Sequence, residues 1–123
     1  MNAKETFLKK EIKNNFKDYN LIGLQSIVNS LSVQEIDPLI KDQVFKIFFK
    51  KCAKELKEKL FVEFIFEDSL IEIFESSEGG WYITLFPSDA QKDSDGDFNS
   101  DDEIDGGLCT GSALNAVMFF IEE

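Results

Sequence analysis

"LFVEFIFEDSLIEIFESSEGGWYITLFP", residues 60–87, decides the fold. It holds three short runs rich in Phe, Ile and Val, parted by Asp68-Ser69 and by Ser77-Glu78-Gly79-Gly80. Runs of this length and composition read as strands, and the polar and glycine breaks read as turns. Glu63, Glu67, Glu72 and Glu75 recur at intervals that suit a sheet with one wet face. The Ser77–Gly80 link reads as a hairpin, so the economical arrangement is an antiparallel three-stranded meander closed by Pro87.

Upstream, the periodicity is helical. Leu8, Ile12 and Phe16 recur at steps of four within residues 4–18, with lysines between them. Asn20 is placed to cap a second helix carrying Leu24, Ile27, Val28 and Leu31. Asp37-Pro38 supplies an N-cap followed by proline at the first helical position. From there Val44, Phe45, Phe48, Phe49, Cys52 and Leu56 mark one apolar face of a helix running to about residue 60. Cys52 lies inside that stripe and reads as a small core residue.

Residues 88–107 have no apolar periodicity and read as a long acidic loop, a length that signals function or mobility. Within it, Asp105-Gly106-Gly107 reads as a turn. Ser112 then caps a closing helix with Leu114, Val117, Met118 and Ile121 on its apolar side. The expected fold is α+β in a single domain. Residues 1–60 are helical, 61–87 form the antiparallel sheet, 88–107 the acidic loop and 108–123 the last helix.

Composition narrows the function. The chain has 123 residues, 24 acids against 13 basic residues, and no histidine; every basic residue is lysine. Histidine is the usual acid–base group near neutral pH, and arginine the usual bidentate anion clamp. With neither, the chain is poorly equipped for catalysis, and it is read as a non-enzyme that needs no cofactor. Cys52 and Cys109 form no metal-binding spacing. No leader or spanning run is visible, so the sequence reads as that of a cytoplasmic protein with reduced thiols.

The charge is also uneven. Asp89 to Asp105 contains eight acids and one lysine, leaving 16 acids and 12 lysines elsewhere. A field of that sign repels nucleic acid and anionic membrane and attracts cationic partners. Asp93, Asp95 and Asp97 match the first ligand positions of a calcium loop, with Asn99 and Asp101 following. Phe98 then stands where glycine is needed and Ile104 where a bidentate glutamate is needed, so no EF-hand is expected. Weak calcium binding by the carboxylates is the remaining metal alternative. Phe98 and Ile104, set among acids, suit a docking surface on which charges steer and apolar groups anchor.

The stretch "DGGLCTGSALNAV", residues 105–117, resembles the C-terminal part of immunity proteins from bacterial contact-dependent growth inhibition and related polymorphic toxin systems. The resemblance implies a small cytoplasmic, non-enzymatic protein that binds and neutralises a toxin domain, often a nuclease. Joined to the charge reading, it makes Asp93, Asp95, Asp97, Phe98, Asp101, Asp102, Glu103 and Asp105 the expected toxin-binding residues. The alternative is a general acidic interaction module.

Overall fold

In a computed structural model, the structure describes residues 2–31 and 35–121. The chain divides into two units, Met1–Lys51 and Cys52–Glu123. Its α+β class agrees with the sequence expectation.

The first unit is helical. Helix α1, Ala3–Asn14, starts with a capping box in which the Asn2 side chain accepts from the Glu5 amide and Glu5 accepts from the Asn2 amide. The second oxygen of Glu5 accepts from the Asp37 amide at 3.0 Å, so one carboxylate serves the starts of two helices. These amide donors hold the Glu5 carboxyl below the usual value. After α1 a short 3-10 turn, Phe16–Asp18, buries Phe16 against the edge of Tyr19. The expected stripe shifts slightly, because Glu11 is buried while Ile12 is half-buried. Glu11 is tolerated there because Asn15 and the Tyr19 hydroxyl donate to its carboxylate. The Tyr19 proton is held more tightly as a result.

Helix α2, Leu21–Leu31, is capped by Asn20, whose side chain accepts from the Gly23 amide at 2.8 Å. Helix α3, Pro38–Lys59, is capped by Asp37, which accepts from the Leu39 amide. Its buried face holds Val44, Phe48, Phe49, Cys52 and Leu56 of the expected stripe, while Phe45 is half-buried. Burial pushes the Cys52 thiol pKa far up, so it is inert as a nucleophile.

The second unit contains the sheet. Strands β1 (Phe61–Phe66), β2 (Ser69–Glu75), β3 (Trp81–Pro87) and β4 (Asp105–Cys109) pair antiparallel in chain order. Helix α3 hands over to β1 through Leu60, whose φ of 61° stops the helix with a side chain where glycine is favoured. The β1–β2 link is two residues long, with Glu67 at φ 56°. The β2–β3 link is wider. The Gly79 amide donates to Ser76, the Ser76 amide donates to Gly80, and Gly79 takes φ 93°.

Two expectations need correction. The meander has four strands, so Asp105-Gly106-Gly107 lies in a strand instead of a turn. Gly107 makes room for a neighbour: a Cβ there would come within 2.5 Å of the Phe119 ring. The closing helix is also shorter than expected. It starts at Ala113 with the Ser112 cap and runs as α4 to Val117, continuing as turns to Ile121. Its buried residues are Ala113, Ala116 and Val117, while Leu114 is exposed.

The strand register sorts side chains onto two faces. Val62, Ile73, Ile83 and Gly107 form one rung of the inner face, and the three side chains of that rung are buried. Helix α4 packs against β3. Each such aliphatic side chain contributes roughly 1.5–3 kcal/mol on full burial.

Two substitutions should move stability in opposite directions, measured by urea unfolding. Gly107→Ala should cost about 1–3 kcal/mol, because its methyl group overlaps the Phe119 ring. Leu60→Gly should be stabilising by about 1 kcal/mol, since it relieves the left-handed backbone at a position that is nearly half exposed.

Candidate functional site

The acidic segment is an ordered structure on the sheet's outer face. Its core is a small hairpin closed by a single bridge between Lys92 and Phe98. The Asp93 amide donates to Asp97 at 2.8 Å, the Gly96 amide donates to Asp93, and Gly96 takes φ 84°. The backbone bonding repeats that of Ser76–Gly80. One oxygen of Asp93 also accepts from the amides of Asp95 and Asp97, at 2.9 and 3.1 Å. Asn99 then caps a 3-10 turn over Ser100–Asp102 by accepting from the Asp101 amide. The Ile104 amide donates to Leu85 and leads the chain into β4.

Two contacts clasp this hairpin to the sheet. The Phe98 ring lies 4.9 Å from Phe86 on β3. The Lys92 ammonium lies 2.9 Å from Glu63 on β1 and 5.3 Å above the Phe98 ring. Both partners in the sheet, Glu63 and Phe86, belong to the outer face by strand alternation. Hydrogen bonding to Glu63 holds the Lys92 pKa above the usual lysine value.

The expected site residues separate into groups. Asp93, Asp95, Asp97, Asp101 and Asp102 are all exposed and carried by the hairpin and the turn after it. Phe98 is half-buried, spent mainly on the contact with Phe86. Glu103 bends over β4, where a Cβ on Gly106 would meet its carboxylate oxygen at 2.9 Å. Asp105 shares a rung with Leu85 and Ile71, on the face opposite the hairpin. Ile104 remains exposed.

The sequence reading missed the sheet's own share of this surface. One outer rung runs Glu63, Glu72, Thr84, Gly106 across the four strands. The next runs Phe61, Phe74, Tyr82, Leu108. Rungs on one face are about 7 Å apart along the strands. Side chains of the apolar rung are 41, 38, 44 and 47% exposed in that order, and the rings of Phe74 and Tyr82 stack at 5.6 Å. Glu63 and Glu72 face one another directly, and Lys92 pairs with Glu63. Burial first, and then the negative charge of Glu63, push the Glu72 pKa up. Alternation in "FVEF" and "EIFE" carried this signal, but only the register joins the two segments.

In chemical terms this surface offers carboxylates, aromatic rings and the hydroxyls of Tyr82 and Thr84. Among the described residues, no group of three His, Cys, Asp or Glu side chains is placed to hold a metal ion. The Asp93 carboxylate already serves two backbone amides within its turn. No helix among the described residues is long and apolar enough to cross a membrane. Comparison with known proteins finds no matching family model, no similar curated protein and no similar solved structure. The fold and the surface define an α+β chain with an acidic–aromatic face.

The Glu63–Glu72 pair makes a pH prediction. A carboxyl whose pKa is raised by folding stabilises the fold when protonated, and that contribution is lost as pH rises through the raised value. Glu72→Gln should therefore flatten the fall in stability as pH rises from 4.5 towards neutrality. Thermal melts across that range should show the variant gaining on the parent as pH increases.

Proposed function

We propose that this chain is a neutralising binding protein of the immunity type, which covers the cationic substrate surface of a basic toxin domain, most simply a nuclease. The observation that carries this reading is the ordered acidic hairpin, clasped to the sheet by Lys92–Glu63 and Phe98–Phe86 with its carboxylates exposed. A nuclease must present positive charge to a polyanion. Clustered carboxylates compete for that surface and speed encounter through long-range attraction.

Order in the hairpin adds to the reading. A mobile acidic tail loses conformational freedom when it binds, whereas a prefolded turn has already lost it. The resemblance of residues 105–117 to immunity proteins supports the same class, and the absence of histidine and arginine suits a protein that performs no chemistry. In this reading the chain acts in the cytoplasm of the cell that it protects.

The test is co-expression with the toxin domain encoded beside its gene, followed by co-purification and stopped-flow association. A tight complex that abolishes toxin activity is expected. Asn at Asp95, Asp97, Asp101 and Asp102 together should slow association about tenfold or more at low salt and flatten its salt dependence. Absence of a complex, or association rates indifferent to these four charges, would remove the proposal.

A further inference from the structure

The hairpin supplies charge, yet charges at the rim of an interface govern encounter more than residence. The groups that set residence time are buried aromatic and apolar anchors near the middle of the contact. Among the described residues the rung Phe61, Phe74, Tyr82 and Leu108 gathers four such groups side by side next to the carboxylates, whereas Ile104 in the acidic segment is a single exposed side chain.

Resting on the functional reading above, we propose that this outer sheet face is the anchoring surface. It takes a lysine or arginine of the partner, with the cationic head at Glu72 and the aliphatic stem along Phe74 and Tyr82.

The protein itself contains a small version of that contact. Lys92 sets its ammonium 2.9 Å from Glu63 and 5.3 Å above the Phe98 ring, so a cation between carboxylate and ring already fits this face. One step across the rung, Glu72 has no ion-pair partner within 4 Å among the described residues. Burial and the charge of Glu63 disfavour its ionised form; Lys92 offsets part of this, and an incoming cation offsets more of the repulsion. The apolar rung lies one rung away, within reach of a lysine or arginine stem. Phe74 and Tyr82 stack on one another and are partly exposed, which gives the stem an apolar aromatic strip to lie along.

Charge complementarity selects this occupant over a second copy of the chain. Two copies meeting through the same face would oppose Glu63, Glu72 and both acidic hairpins, with only Lys92 to offset them. Nucleic acid is disfavoured by the same field.

The experiment separates anchoring from steering. Phe74→Ala and Tyr82→Ala truncate exposed side chains, and circular dichroism melts verify that each variant is folded. Against the toxin domain, each should raise koff about tenfold or more with kon within twofold, a residence effect set by anchors. Tyr82→Phe should retain the parent koff, since the ring is kept. If koff does not move while the hairpin charge variants still slow kon, the anchoring proposal falls and the neutralising function stands.

If the toxin domain forms no complex, the function falls and the face is tested alone. The isotope-labelled full chain is titrated with hexa-arginine amide and followed by amide NMR shifts. Movement centred on Glu72, Tyr82 and Leu108 supports the anchoring surface. Movement confined to residues 93–102, or none, overturns it.

Discussion

In a pleated sheet a residue's face is set by its register, so burying one rung positions every other. Here the buried rung is Val62, Ile73 and Ile83, completed by Gly107. Once these side chains are withdrawn from water, Glu63 and Glu72 must emerge opposite one another on the far side, and Phe61, Phe74, Tyr82 and Leu108 must line up beside them. The acidic–aromatic face is thus a consequence of core formation. The cost is visible in the pair of facing carboxylates, which Lys92 offsets at one end.

That single lysine links the two halves of the surface. A surface ion pair alone contributes little, because solvent screens it and side-chain entropy opposes it. Lys92 does more because its ammonium also covers the Phe98 ring, whose other contact is Phe86. Charge, ring and strand are joined in one stack, and the hairpin backbone is closed at the same residues, Lys92 and Phe98. A segment whose composition suggests a solvated loop is held in place by the two members that differ from the rest.

Much of the fold was legible in the sequence. The change of rhythm at Leu60, the caps at Asn20, Asp37 and Ser112, and the Ser77–Gly80 link all follow from local chemistry acting over a few residues. Strand β4 was hidden because Gly106 and Gly107 imitate a turn, while both lie in a strand and Gly107 makes room there for Phe119. The hairpin was hidden for a different reason. Asp93 and Gly96 stand at the same spacing as Ser76 and Gly79, yet no apolar alternation flanks them to announce strands. On the site, the carboxylates were legible as composition, and their exposure follows. The aromatic rung was not legible, because residues 61, 74, 82 and 108 meet only through a register fixed by the whole sheet.

The recurring turn separates scaffold from message. In Asp93–Asp97 the backbone relies on the Asp93 side chain and on the permissive conformation of Gly96. Among the described residues, no hydrogen bond or ion pair ties down the side chains of Asp95, Asp97, Asp101 or Asp102. The same backbone course, built with serine and glycine at residues 76–80, carries no such cluster of charge. Under the proposed function, those four positions form an interchangeable alphabet mounted on a separate frame: successive substitutions there retune which counterpart is preferred, while the architecture that displays them is left intact.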